Sequence, residues 1–351
     1  MGGQTVFLYL VYTLRTWLQL QWIRFNNLFV RPKPSTAQLH KVVVIGDGMA
    51  EGVGDTVPFG RSAGVAGYLQ TMLGMDKGIR QRWQVIGRGV AGTGSADWLP
   101  GSKLFQRCFG DLGGRVVAPG PGGGGAKGGK KKGGAAAAAA AAAARTAAPK
   151  GDVADAEVVV IIVGANDGSR SARTPDAAGA QHLSPAQSVA NVAALCDALA
   201  AAGKFVFLSP LAAPGRARED REWMVSANGL LNEYVARSRA RAEAKARAAG
   251  GGGGADVPAV PPVTLAPNVN NPRYWQPKML CWDGMHFNGD CYRLLAKEAQ
   301  QAMRCDLVKI EWGSFRRLIG GAAAAATADS STVAAADGGA SPKGEANKKA
   351  D

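Results

Sequence analysis

Residues 157–164 read EVVVIIVG, six consecutive β-branched apolar residues between an acid and a glycine. A helix at the surface or a half-exposed strand would put some of these side chains in water, whereas a strand covered on both faces buries them all. Shorter runs of the same character occur at 41–46 (KVVVIG), 82–87 (RWQVIG) and 204–210 (KFVFLSP), with VTLAP at 263–267 a weaker fifth. Between them the apolar spacing changes to three and four, which predicts helices over about 60–73, 186–202, 218–248 and 289–303. Strands alternating with helices imply a parallel five-stranded sheet with helices on both faces. In such sheets chemistry gathers in loops at the carboxyl ends of the strands.

Much of the remaining length offers too little apolar surface to offset the entropy of ordering. Residues 113–150 are nearly all Gly, Ala and Lys, with an unbroken alanine run at 135–144, and residues 249–262 are Gly- and Pro-rich. The tail is Gly/Ala with scattered charge. The expected organisation is therefore an N-terminal segment (1–36), one α/β domain (37–312) with inserts at 113–150 and 249–262, and a disordered tail (313–351). The inserts fall between strands and should loop out without disturbing the sheet.

The formal charge is +14, and its location matters more than its size. Residues 1–46 carry Arg15, Arg24, Arg31, Lys33 and Lys41, residues 113–150 carry seven more basic residues, and neither stretch has an acid. The rest of the chain is nearly balanced. A basic flexible loop attracts any anionic surface without selecting one, so specific nucleic-acid binding is not expected. The five cysteines, Cys108, Cys196, Cys281, Cys291 and Cys305, show no zinc-type spacing, and neither a metal nor a cofactor is expected. Cys281 and Cys291 are either thiols or, in an oxidising lumen, a bridge across the loop between them.

From Val6 to Val30, apolar Phe7, Leu10, Val11, Leu14, Leu18, Trp22, Phe25, Leu28 and Phe29 fall on one helical face. Arg15, Thr16, Gln19, Asn26 and Asn27 gather on the other. Arg15 and Arg24 interrupt the stretch too early for a comfortable span. Interfacial tryptophans with flanking arginines suit a helix lying in a membrane surface, so membrane association is the expected localisation. The alternatives are a helix packed on the chain's own domain and an organellar targeting peptide.

Four loops hold the candidate chemistry: GDGMAEGVGD (46–55), GRGVAGTGSADW (87–98), GANDG (164–168) and DGMHFN (283–288). Each is weak alone, because glycine-rich loops are usually turns and Asn-Asp is often a cap. The first matches neither GxGxxG nor the P-loop, which argues against nucleotide binding. In this order, at strand ends and before the last helix, the four loops resemble the SGNH (GDSL-type) hydrolases over residues 41 to about 304. The resemblance implies a three-layer α/β/α, flavodoxin-like fold acting on acyl or acetyl esters. It implies His286 as general base, Asp283 as the carboxylate orienting it, and Asn166, Gly92 and the backbone N–H of residue 48 as the oxyanion hole.

The departure is Gly48. The family carries its serine nucleophile there, and glycine has no oxygen to attack a carbonyl. Thr56, Ser62, Ser95, Ser169 and Ser171 lie in nearby loops, but none occupies the tight turn that aims a nucleophile. Three functions are consistent with the residues. One is a pseudo-hydrolase that binds an acyl-ester or lipid-like ligand. Another is a slow ester hydrolase working through His286-activated water or a substitute nucleophile. The last is a scaffold that binds a protein partner.

Overall fold

In the computed structural model the described residues are 3–29, 39–55, 62–110, 112, 151–168, 182–211, 218–248, 263–264, 279, 281 and 286–336. Strands β1 (Leu39–Gly46), β2 (Arg82–Gly89), β3 (Val158–Ile162) and β4 (Phe205–Leu208) are full length, and β5 (Val263–Thr264) is two residues. All pair in parallel, in the order β2-β1-β3-β4-β5. The expected five-stranded parallel sheet is present; of the strand foreseen at 263–267, Val263 and Thr264 are among the described residues and 265–267 lie outside them. Every residue of β3 is buried, as its uninterrupted apolar run requires.

The helices are α1 (Gly3–Asn27), α2 (Gly48–Glu51), α3 (Gly64–Met75), α4 (Lys103–Phe109), α5 (Pro185–Ala201), α6 (Arg218–Ala248) and α7 (Gly289–Ala336). The pair Ser184-Pro185 sets the start of α5. Ser184 Oγ accepts the Gln187 N–H at 3.3 Å, the Gln187 side chain accepts the Ser184 N–H at 3.0 Å, and Pro185 supplies a pre-set first turn. Val43, Ile45, Val159 and Ile161 form one core with Leu195 and Leu199 of α5 and Leu231 and Tyr234 of α6. Their neighbours Val42, Val44, Val158 and Val160 alternate to the opposite face and are equally buried. There α3 packs on β1 and β2.

The chain leaves α4 and returns against it. The Asp152 N–H donates to the Arg107 carbonyl and the Val153 N–H to the Cys108 carbonyl, both at 2.9 Å. A Cβ on Gly151 would stand 2.4 Å from the backbone nitrogens of Phe109 and Gly110, so this approach needs glycine. The inserts foreseen at 113–150 and 249–262 lie outside the described residues.

At the amino ends of the strands, buried His40 stacks on Trp83 with ring centroids 4.7 Å apart. Its Nδ1 lies 2.9 Å from Glu157 Oε1, and Glu157 also accepts the Lys41 N–H at 2.9 Å. Burial pushes the Glu157 carboxyl up, but the bonds from His40 and Lys41 outweigh it and hold the group below its ordinary value.

Helix α1 faces the opposite way from the simplest expectation of an amphipathic helix on its own domain. Thr16, Ile23 and Asn26 are buried, while Phe7, Leu10, Leu14 and Leu18 are exposed. Its inner edge is polar because it is held by hydrogen bonds. Gln19 Nε2 donates to the Asp55 carbonyl at 3.0 Å, and Arg24 pairs with Glu51 at 3.0 Å. Among the described residues no helix is long and apolar enough to cross a membrane.

The tail corrects an expectation. Residues through Ala336 are helical, as part of α7, rather than disordered from 313. Alanine is the strongest helix former, and a run of it after Gly320 and Gly321 propagates a helix begun upstream. The chain divides into two compact units, Met1–Arg304 and Cys305–Asp351. Residues 337–351 lie outside the described residues.

Candidate active site

The strand order reverses between β1 and β3, the switch point where open α/β sheets leave a crevice at their carboxyl ends. Gly46 ends β1 with φ at +139°, and a Cβ there would overlap the Ile162 carbonyl at 1.7 Å. Only glycine lets the chain turn beneath β3. The Asp47 N–H then donates to that carbonyl at 3.0 Å, and the Asp47 carboxylate caps α2 by accepting the Met49 N–H at 3.0 Å. Gly48 is the first residue of α2 and is buried. Gly48 is not among the glycines with positive φ. The Gly48 carbonyl accepts from Gly52 and Val53 at 3.0 and 2.8 Å, closing the turn.

The loop after β2 wraps the same point. Val90 N–H donates to the Gly46 carbonyl at 2.8 Å, and Ala91 N–H to Glu51 Oε2 at 2.6 Å. Gly92 has φ at +85°, a conformation that favours glycine. From the end of β3, Asn166 Nδ2 donates to the Thr93 carbonyl at 3.0 Å. An amide nitrogen has two donors, so this bond fixes the rotamer and uses one of them.

Asp167 secures the arrangement from behind. Its Oδ1 accepts the Ser95 N–H at 2.9 Å and its Oδ2 the Ser188 hydroxyl at 2.5 Å. Burial raises the Asp167 carboxyl above its ordinary value, opposed by the bonds from Ser188 and Ser95. A Cβ on Gly94 would lie 2.3 Å from Asp167 Oδ1, so the close pairing of the two loops depends on that glycine.

His286 is buried at the start of the last segment. Its carbonyl accepts the Cys281 N–H at 2.7 Å, and Asn288 Oδ1 accepts the Asp290 and Cys291 N–H groups at 3.1 and 3.2 Å, capping α7. This clasp rests on the loop that follows α2. A Cβ on Gly54 would meet the Phe287 carbonyl at 2.3 Å and His286 Cβ at 3.1 Å. Cys281 Sγ donates to the Gly54 carbonyl at 2.9 Å, and the buried Tyr292 hydroxyl to that of Val53 at 2.7 Å. Val53 is in turn bonded to Gly48, so the loops bearing Gly48, Gly92, Asn166 and His286 are linked without a break.

Asp283, assigned by resemblance as the partner of His286, lies outside the described residues, as do Thr56, Ser169 and Ser171. Ser62 is half-buried ahead of α3, and buried Ser95 takes part in the Asp167 network, its Oγ accepting from Asn191 at 3.0 Å. All five cysteines are thiols, and burial pushes Cys291 up to about 12. Sequence reasoning missed Glu51, Thr93 and Asp167. Glu51 had a visible signal, an acid one helical turn after Gly48. Thr93 acts through its backbone carbonyl, which no side-chain pattern reveals.

A family model described as GDSL-like lipase/acylhydrolase matches residues 42–299. No curated protein matches the chain. Similar solved structures include TesA, at 16% identity and a TM-score of 0.43, covering 75% of this chain and 98% of that one. An alpha/beta hydrolase enzyme from the metagenome of Lake Arreo, Spain, is 15% identical with a TM-score of 0.45, covering 76% and 95%. An acetylxylan esterase from Geobacillus stearothermophilus is 13% identical with a TM-score of 0.45, covering 75% and 93%.

Proposed function

The chain belongs to the GDSL-like lipase/acylhydrolase family, and from that premise we propose that it binds an acyl- or acetyl-ester ligand as a pseudo-hydrolase, without forming an acyl-enzyme. One observation carries this: the first residue of α2, directly after β1, is glycine. The family places its serine there, and a residue without a side-chain oxygen forms no covalent intermediate. The rest of the carbonyl-binding equipment remains. The backbone N–H groups of residues 48 and 92 and the second Nδ2 donor of Asn166 suit a polarised ester oxygen. The switch-point crevice supplies the place for the acyl group.

A slower hydrolytic function follows if His286 takes a proton from water, the resulting hydroxide adds to the ester carbonyl, and the alcohol leaves with that proton. Its support is that a buried histidine is retained against the Gly48 loop. Enzymes lacking a triad member keep roughly 10³–10⁴-fold acceleration over water from binding and the oxyanion hole.

The test uses the full chain, a trifluoromethyl ketone analogue of an acyl ester, and a fluorophosphonate probe. Saturable binding of the ketone, no labelling by the probe, and no stoichiometric burst with p-nitrophenyl esters are expected. A burst or strong labelling would reveal a substitute nucleophile and end the pseudo-hydrolase assignment. Absence of binding across acetyl to long-chain analogues would end the ligand-binding assignment.

A further inference from the structure

At about 100° per residue, the exposed apolar residues of α1 fall within one arc of roughly 140°. Phe7, Leu10, Leu14, Leu18 and Phe25 along it are 49–65% exposed. Trp17 and Arg24 mark one edge of the arc, and Trp22 and Arg15 the other. The side turned to the domain is mainly polar, with Thr16 and Asn26 buried and Gln19 bonded to the Asp55 carbonyl, and Ile23 is the apolar residue packed there on Ala63. A contiguous apolar stripe of this length is unusual on a soluble surface and marks an interaction site.

We propose that this outward face of α1 docks on the surface of an anionic lipid bilayer, lying in the headgroup plane. The charges select that occupant. Residues 1–46 hold five basic residues and no acid. Anionic headgroups complement such a segment, and tryptophans beside arginines at both borders of the stripe match the boundary between acyl chains and headgroups. A second copy of the chain is a poor complement, because two α1 helices packed face to face would bring arginines together with no α1 acid to pair them.

The inner edge gives the docking a further consequence. Arg24 pairs with Glu51, and Glu51 also holds the Ala91 N–H, next to Gly92. Gln19 holds Asp55 on the loop that carries the chain from Gly48 toward His286. Docking on the outer face therefore keeps the loops of Gly48 and Gly92 about one helix diameter, ~10 Å, from the lipid.

The test is flotation of full-length protein with vesicles of phosphatidylcholine, with or without phosphatidylglycerol replacing part of it. The protein is expected to float with the anionic vesicles, at least about tenfold less with neutral ones, and less as salt screens the charges. The double substitution Leu14→Glu with Leu18→Glu should abolish flotation while leaving thermal unfolding unchanged, because both side chains are exposed in the fold. In the unmodified protein, brominated acyl chains should quench a fluorescence component that disappears in the Trp17→Phe, Trp22→Phe variant. Failure to float with anionic vesicles would overturn the proposal. So would a dimer in solution that the Leu14→Glu, Leu18→Glu variant dissolves, since the stripe would then belong to a second copy.

Discussion

Asn166 donates its side-chain amide to the carbonyl of Thr93 at 3.0 Å, tying the loop after β3 to the loop after β2. The bond joins neighbours of the switch point from two strands that do not pair with each other, and β1 lies between them. It sets the direction of the second Nδ2 donor with no further ordering on ligand binding.

Asn166→Ala removes that bond and leaves a carbonyl unsatisfied. A loss of about 1–3 kcal/mol in stability is expected from denaturant midpoints, together with a drop of roughly tenfold or more in affinity for the ketone analogue. Stability and affinity both unchanged would mean that the amide neither fastens the loops nor meets the ligand.

Gly48→Ser places an oxygen on the first residue of α2. With base and oxyanion donors retained, fluorophosphonate labelling should appear, and ester turnover should rise by about 10³-fold or more. Adding His286→Ala to this variant should remove both gains. Labelling that persists without His286 would place the reactive serine elsewhere.

Gly92→Ala tests the loop backbone. An alanine held at the observed φ of +85° costs about 1–2 kcal/mol, a fall in Tm of roughly 2–8 °C by calorimetry. The loss should appear without ligand present.

Two carboxyls, half-buried Glu157 and buried Asp167, impose opposite pH dependences. Glu157 is held below its ordinary value of 4.5, so its stabilisation is present above that pH and is lost as pH falls through the lower folded value. Asp167 is raised above 3.8, so its folded form holds the proton more tightly, and its contribution to stability declines as pH rises through that window. Denaturant midpoints between acid and neutral pH should therefore vary less steeply in Glu157→Gln. In Asp167→Asn the rise in stability with pH should be steeper than in the unmodified chain. Parallel profiles for all three proteins would contradict both assignments.

The sheet was legible because β3 is one unbroken apolar run and β1 shares its character. The site loops were legible because each follows a strand or precedes a helix. The tail was underread, because alanine looks featureless when judged by burial and strongly helical when judged by propensity. The seating of α1 was open for a different reason. Its contacts to the domain include the polar ones of Gln19 and Arg24 beside the packing of Ile23 on Ala63, whereas hydrophobic periodicity reports only where apolar side chains collect. Asp167, which the sequence reading gave no role, fastens two loops through partners 72 and 21 residues away, which local spacing does not encode.

The return of the chain at Gly151 onto the end of α4 makes this junction a natural splice port. Its exit and re-entry are stitched together by the bonds from Asp152 to Arg107 and from Val153 to Cys108. Lengthening the chain between that exit and re-entry with flexible sequence therefore costs closure entropy, about 0.6 kcal/mol for each doubling of length. A fluorescent reporter or affinity handle whose own termini lie close together could be grafted there, leaving both the first and last residues of the chain untouched.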